Sequence, residues 1–328
     1  MKDTGKIFTV VVCGPTASGK TALAVRISEI FGGEIIGADS MQIYKEMDIA
    51  TAKPTKEELR GIKHHLINFL EPHESFSVAE YVEAARIKIA ETAERGNLPV
   101  IVGGTGLYIS SLVDNICFPE IKADADFRFK MQELKKQEGA EFLLEKLREN
   151  DPETAAELHP NNIKRIIRAL EVFHVTGKTM SRLKHESRLT PSPYEPLMLQ
   201  IDLPRERLYE RINKRVDLML EAGLVEEARK YFDALPNAFS ASATSIQAIG
   251  YKELLPYLKG EAELFDCVDE LKKSTRNYAK RQLTWFKKEP RMHMLGTEYN
   301  DESAFFEEAL RKAQSLIEES IQKNCKRT

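Results

Sequence analysis

Gly14-Pro-Thr-Ala-Ser-Gly-Lys20-Thr21 fits the spacing G-x-x-x-x-G-K-[ST] between a buried apolar run and a helical pattern. Glycines at 14 and 19 let the backbone curl so that its N–H groups and a helix N-terminus face an anion. Pro15, Thr16, Ala17 and Ser18 complete the loop, Lys20 adds positive charge, and Thr21 offers a hydroxyl to Mg²⁺. The chemistry is the grip of a di- or triphosphate, without indication of which compound carries it.

Two further segments belong beside such a loop. Ala38-Asp39-Ser40-Met41-Gln42 closes a second apolar run, and strand ends in α/β sheets point toward the ligand crevice. Asp39 therefore serves as a Mg²⁺ ligand, a general base or a helix N-cap. An ATPase usually has a strand ending in Asp; here Leu98–Val102 runs into Gly103-Gly104-Thr105-Gly106. Thr105 either approaches a phosphate without adding negative charge or simply sits in a tight turn. Arg211 and Arg215, four residues apart, share a helix face and by themselves read as a solvated pair near Asp217 and Glu221.

The elements that position these residues follow from periodicity. Lys6–Cys13 reads as a central strand buried on both faces, and similar runs recur at 34–38, 65–69, 98–102 and 197–201, with helical patterns between most of them. Ser77-Val-Ala-Glu80 is a capping-box spacing opening a helix that closes at Gly96. From 116 to 194 the strand signal vanishes between Phe118-Pro119 and Thr190-Pro-Ser-Pro193, leaving charged amphipathic helices. A short strand at 292–295 and a final helix from about Asp301 to Gln322 follow. The expectation is an α/β fold, a P-loop NTPase-like parallel sheet core (1–115 and 195–328) with a helical insertion domain (116–194) and no internal repeat.

In 328 residues, 42% hydrophobic and 30% charged, there is ample material for a core. No run nears the roughly 20 apolar residues of a membrane span, and no signal-peptide pattern precedes the first strand, so a cytoplasmic protein without membrane contact is expected. Cys13, Cys117, Cys267 and Cys325 form no CxxC pair and read as idle thiols; His64, His65, His159 and His174 lack metal-site spacing and read as structural. A net charge of −3 hides two basic stretches. Residues 161–188 hold seven Lys or Arg against Glu171 and Glu186, with Lys164, Arg165 and Arg168 on adjacent turns. Residues 272–291 interleave Arg276, Lys280, Arg281, Lys287 and Lys288 with Tyr278, Trp285 and Phe286. Both suit RNA phosphates and stacked bases, or else are solvated faces, with Trp285 and Phe286 turned inward.

GPTASGKT, ADSMQIYKEMDIATAKP, HHLI, FSVAEY, IVGGTGLY, HPNNIKRIIRALEVF, QAIGYKE and TRNYAKRQLTWF, in this order, resemble the tRNA dimethylallyltransferases over essentially the whole chain. The resemblance implies transfer of a dimethylallyl group from dimethylallyl diphosphate to N6 of adenosine 37 in tRNAs reading codons that begin with U. Diphosphate is released and Mg²⁺ assists. It implies that residues 14–21 hold the donor's diphosphate rather than necessarily ATP, with Thr21 on the metal. Asp39 takes the N6 proton, Thr105 meets the diphosphate and Arg215 completes the anion clamp, a task for which Arg211, on the same helix face, is a rival. It carries recognition of the base to Asp39, Ser40 and Gln42, and together with the basic stretches the expected tRNA contacts extend to Met41, Arg128, Lys164, Arg165, Arg168, Lys280, Arg281 and Gln282. A monomer without an obligate protein partner is implied, and only Cys325 lies near the C-terminus, where some eukaryotic relatives carry a zinc finger. Three rivals stand beside this: a small-molecule kinase, a prenyltransferase acting on free adenosine phosphates, and a nucleotide-switched RNA-binding protein.

Overall fold

Ile7–Cys13 (β1) is apolar and β-branched because it is covered on both faces: Val10, Val11, Val12 and Cys13 are wholly buried. The computed structural model describes residues 5–116, 124–187, 189–235, 244–296 and 301–325. Cys117, the Phe118-Pro119 boundary and the side chain of Cys325 lie outside the described residues.

After β1 come Lys20–Phe31 (α1), Gly33–Gly37 (β2), Lys56–Leu59 (α2), His64–His65 (β3), Val78–Glu94 (α3), Leu98–Gly103 (β4) and Gly106–Val113 (α4). The helical stretch holds Ala125–Glu138 (α5), Ala140–Asn150 (α6), Pro152–Ala156 (α7), Ile163–Thr176 (α8) and Met180–Ser187 (α9). Tyr194–Asp202 (β5), Arg205–Glu221 (α10), Leu224–Ala234 (α11), Tyr251–Leu258 (α12), Leu264–Phe286 (α13), Met292–Gly296 (β6) and Glu302–Cys325 (α14) follow. Contacts divide the chain into two compact units, Met1–Val113 with Pro193–Thr328, and Asp114–Ser192.

In the first unit six parallel strands run in the order β3-β2-β4-β1-β5-β6. β1 sits between β4 and β5, so the loop leaving its C-terminal end opens at the middle of the sheet edge where α/β proteins bind ligands. One face is covered by α1 and α14, whose Leu23, Ile27, Phe305, Leu310 and Ile317 pack against Val10, Val12, Ile35 and Leu199. Full burial of each such side chain contributes roughly 1.5–3 kcal/mol. The Ser77–Glu80 capping box is present at α3, with both reciprocal bonds formed.

The strand expected over 65–69 shrinks to His64–His65. Leu66 (φ 57°) and Asn68 (φ 55°) take left-handed backbone, which breaks the extended run. Their segment serves the turn after β2 instead, with Asn68 N–H donating to Gln42 O (3.0 Å) and Phe69 N–H to Ile43 O (2.9 Å). Beside this edge strand, Glu34 of β2 is held well below the usual carboxylate range, first by the Arg95 guanidinium and then by His65 and Asn97 against the cost of burial. His65 is thereby a structural histidine.

The second unit is all helical among its described residues. Met131, Leu143, Leu147, Ile166, Ile167 and Leu170 form its core.

Candidate active site

The phosphate loop has the backbone its glycines promise. Gly14 (φ 136°) and Gly19 (φ 91°) occupy the left-handed region, and a β-carbon on Gly14 would stand 3.1 Å from Gln200 Cγ. Lys20 opens α1 and donates from Nζ to Pro15 O (3.2 Å), folding its ammonium back over the loop. Burial pushes that ammonium down to about 8, the Asp39 carboxylate pulls it up, and the Arg215 charge pushes it down again. A cation so poorly solvated gains from a bound anion. The hydroxyl of Ser18 and Oε1 of Gln200 are buried nearby without hydrogen-bond partners.

Lys20, Thr21 and Asp39 line one cavity with Gln42, Pro54, His64, Leu66, Ile67 and Gly103. Parallel pairing of β2 and β4 brings these segments together: Gly37 lies opposite Val102, and Ala38 N–H donates to Val102 O (2.7 Å). Gly103 must be glycine, because a β-carbon there would fall 2.0 Å from Ala38 O. Thr105 then reaches across, accepting from Ser40 N–H (3.0 Å) and donating to Ser40 Oγ (3.3 Å). Asp39 Oδ1 accepts from the N–H groups of Met41 (2.9 Å) and Gln42 (3.3 Å), a turn-capping role that fixes the carboxylate in the cavity wall.

Other residues with RNA roles implied by the resemblance divide by what they already hold. Gln42 Nε2 donates to Thr51 O and Ala52 O, leaving only its carbonyl for a ligand. Met41 packs into the apolar cluster of Ile43, Tyr44 and Leu224. Lys280 and Arg281 are exposed, whereas Gln282 is buried, accepting from Thr16 N–H (2.8 Å) and donating to Gly104 O (2.9 Å). Phe286 is buried as expected; Trp285 is not, lying over Gly106 at 41% exposure with Nε1 donating to Ser110 Oγ (3.1 Å).

The two candidate anion clamps differ. Arg211 pairs with Glu302 (3.1 Å), although its Nη2 comes within 3.6 Å of the β-carbon position of Gly19. Arg215 makes no hydrogen bond or ion pair among the described residues, and burial, then the neighbouring Arg211, holds its pKa below the ordinary guanidinium value. Of the two, Arg215 is the one without a direct ion pair among the described residues, the Glu58 carboxylate acting on it only through its field.

In the helical unit, Lys164 and Arg165 are exposed on α8 while Ile166, Ile167 and Leu170 of the same helix are buried. Arg128 and Arg168 converge on the fully buried Glu171: Arg128 donates from Nε (2.8 Å) and Nη2 (2.9 Å), Arg168 from Nη1 (2.6 Å). Their first task is to neutralise that carboxylate.

His64, grouped with His65 in the sequence as a structural histidine, has surroundings of its own. It lines the cavity, its Nδ1 donates to Ile62 O (3.0 Å), and its Nε2 is buried without a partner. Burial holds its pKa below the ordinary value, so the neutral ring presents a lone pair. His65 differs in having the Glu34 carboxylate as its partner. Among the described residues no three His, Cys, Asp or Glu cluster as a metal site, and no helix is long and apolar enough to cross a membrane.

With this geometry in view, the chain can be set beside known proteins. Residues 42–289 match the family model described as IPP transferase. A tRNA dimethylallyltransferase of Caldanaerobacter subterraneus is 50% identical over 283 residues, 86% of this chain and 89% of that protein. The Bacillus subtilis tRNA dimethylallyltransferase is 50% identical over 279 residues, 85% and 87% of the two chains. The crystal structure of a Bacillus halodurans tRNA isopentenylpyrophosphate transferase shares 41% identity at a TM-score of 0.69, covering 97% of this chain and 99% of that one. A eukaryotic dimethylallyltransferase, crystallised while acting on tRNA, reaches a TM-score of 0.83 at 30% identity, covering 97% and 80%. With three quarters of its length matched by the family model and half its aligned residues identical to these enzymes, the chain belongs to the IPP transferase family, the tRNA dimethylallyltransferases.

Proposed function

We propose that this protein transfers the dimethylallyl group of dimethylallyl diphosphate to N6 of adenosine 37 in tRNAs reading codons that begin with U, releasing diphosphate. The observation that carries the reading is the shared cavity of Lys20, Thr21 and Asp39 in a member of this family. A phosphate grip and a carboxylate face the same space, which suits an anionic leaving group and an amine losing a proton.

The exocyclic amine of adenine is a weak nucleophile, and the allylic carbon–oxygen bond opens only as the charge on the departing diphosphate is neutralised. Lys20 and Arg215, with loop N–H groups, supply that neutralisation and hold the donor in line. Thr105 presents its hydroxyl beside the bridging oxygen. As the new carbon–nitrogen bond forms, Asp39 accepts the N6 proton; its bonds from Met41 and Gln42 hold the carboxylate in place. The base must leave its stack to enter, at a cost of a few kcal/mol that is smaller in an anticodon loop than in a duplex.

Thr21 and Asp39 offer two hard oxygens, too few for a protein cage but fitting a Mg²⁺ carried mainly by phosphate oxygens and water. When bound, the ion offsets charge on the departing diphosphate. Exposed Lys164, Arg165, Lys280 and Arg281 are the phosphate contacts for RNA, and Gln42 Oε1 is an acceptor for a base. The reading includes a monomeric cytoplasmic enzyme.

The test is to incubate the protein with Mg²⁺, labelled dimethylallyl diphosphate and either an unmodified tRNA with adenosines at 36, 37 and 38 or the same RNA with guanosine at 37. Label in the first RNA alone is expected. Labelled AMP, or ATP consumed without RNA, overturns the reading in favour of a nucleotide prenyltransferase or a kinase. Asp39→Ala should lose transfer by about 10²–10⁴-fold while retaining tRNA affinity; unchanged transfer removes Asp39 as the base.

A further inference from the structure

Gln282 lies near the C-terminal end of α13, directly after two residues that face solvent. Lys280 and Arg281 are exposed, yet Gln282 is 5% exposed and both ends of its amide are engaged. Oε1 accepts from Thr16 N–H at 2.8 Å, inside the phosphate loop, and Nε2 donates to Gly104 O at 2.9 Å, in the turn after β4. These two loops leave adjacent parallel strands and are not otherwise tied to one another by a side-chain hydrogen bond among the described residues. The approach is close: a β-carbon at 104 would stand 2.1 Å from Gln282 Nε2, so a side chain there would displace the amide from its bonds.

The consequence reaches both halves of the reaction. Thr16 belongs to the loop that grips diphosphate. Gly104 precedes Thr105, which holds Ser40 beside Asp39. One amide thus sets the spacing between the donor loop and the wall carrying the acceptor's base. The chemistry at this position is demanding: the side chain must be neutral and must offer one donor and one acceptor at this reach. Asn is a methylene shorter, Glu in its ionised form sets a carboxylate oxygen against the Gly104 carbonyl, and Met has the length with neither bond.

We propose that Gln282 is a positioning residue that locks the phosphate loop to the Gly103–Gly106 turn, and that it makes no contact with RNA. The inference rests on the reading of the cavity as the prenyl-transfer site. It separates Gln282 from Lys280 and Arg281, whose exposed charges belong to the RNA surface.

The experiment measures three quantities for wild type, Gln282→Met, Gln282→Glu and Gln282→Asn. They are the Kd for dimethylallyl diphosphate with Mg²⁺ and no RNA, the Kd for unmodified tRNA, and kcat and KM for transfer. Loss of two neutral hydrogen bonds should weaken donor binding about tenfold or more in the Met and Glu variants, and kcat should fall, with tRNA affinity within about twofold of wild type. Gln282→Asn keeps the amide and the polarity of the site, so it supplies a folded protein if the Met variant does not; it should show the same direction of change. Variants that weaken tRNA binding and leave the donor Kd unchanged overturn the proposal in favour of an RNA contact. Variants that lower only Tm overturn it in favour of a purely structural amide. A wild type that binds no donor overturns the underlying function, whereas variants equal to a donor-binding wild type overturn the bridge alone.

Discussion

The hydroxyl of Thr105 accepts a hydrogen bond from the backbone N–H of Ser40 at 3.0 Å, joining the turn after β4 to the residue that follows Asp39. A side chain at the foot of the proposed leaving group therefore also holds the wall that carries the proposed base, so one residue touches both bond breaking and proton removal. Thr105→Val, which keeps the shape and removes the hydroxyl, should lower kcat by roughly 10²-fold, the loss typical of one preorganised group at a developing charge. Thr105→Ser should retain most activity. Equal kcat values for the Val variant and wild type would return Thr105 to an ordinary turn residue.

Arg215 and Arg211 share a face of α10 but not an electrostatic situation. Arg211 has Glu302 as a partner; Arg215 has none among the described residues. Arg215→Ala should therefore weaken the donor by about 10- to 100-fold, the range of a charge-assisted hydrogen bond, and Arg211→Ala by far less. Isothermal titration with dimethylallyl diphosphate compares them, and the reverse order would make Arg211 the clamp.

Lys20 is pushed down to about 8 by burial, with Arg215 adding to the effect and Asp39 opposing it. It binds the donor as the cation, so kcat/KM for the donor should be level below pH 8 and fall up to tenfold per pH unit above it, as the free enzyme loses that proton. Bound diphosphate favours the ammonium, so kcat itself should decline only at higher pH. A kcat/KM profile flat to pH 10 would show that Lys20 stays charged without a ligand.

The basic helix α8 presents Lys164 and Arg165 to solvent, while Arg168 is committed to Glu171. Changing Lys164 and Arg165 together to Ala should reduce the slope of log Kd for tRNA against log salt by about 2. Donor binding should not change. An unaltered slope would make this face merely solvated. Arg168 is best left out of the test, since its removal takes a partner from a buried carboxylate and costs stability.

Local patterns in the chain were sufficient for the phosphate loop, the parallel sheet with β1 at its centre, the capping box of α3 and the helical stretch after α4. Each depends on residues near in sequence: glycines that permit left-handed backbone, β-branched runs that must be covered on both faces, a serine three residues before a glutamate. Neither the short β3 nor the cavity role of His64 was legible, because the left-handed backbone of Leu66 and Asn68 is imposed by bonds to the turn after β2. Charge counts likewise could not tell Arg215 from Arg211, or Lys164 from Arg168. That difference lies in which guanidinium meets a carboxylate: Arg211 meets Glu302 from α14, and Arg168 meets Glu171 of its own helix, a carboxylate that the fold buries and that Arg128 of α5 also holds. Gln282 is the sharpest case. The sequence reading groups it with the preceding Lys280 and Arg281 as a tRNA contact, and only the fold, by burying that face of α13 against two glycine loops, turns it from the surface into the site. Residue type and spacing determine what chemistry the chain can offer; which groups are already spent on the protein itself is settled by long-range packing.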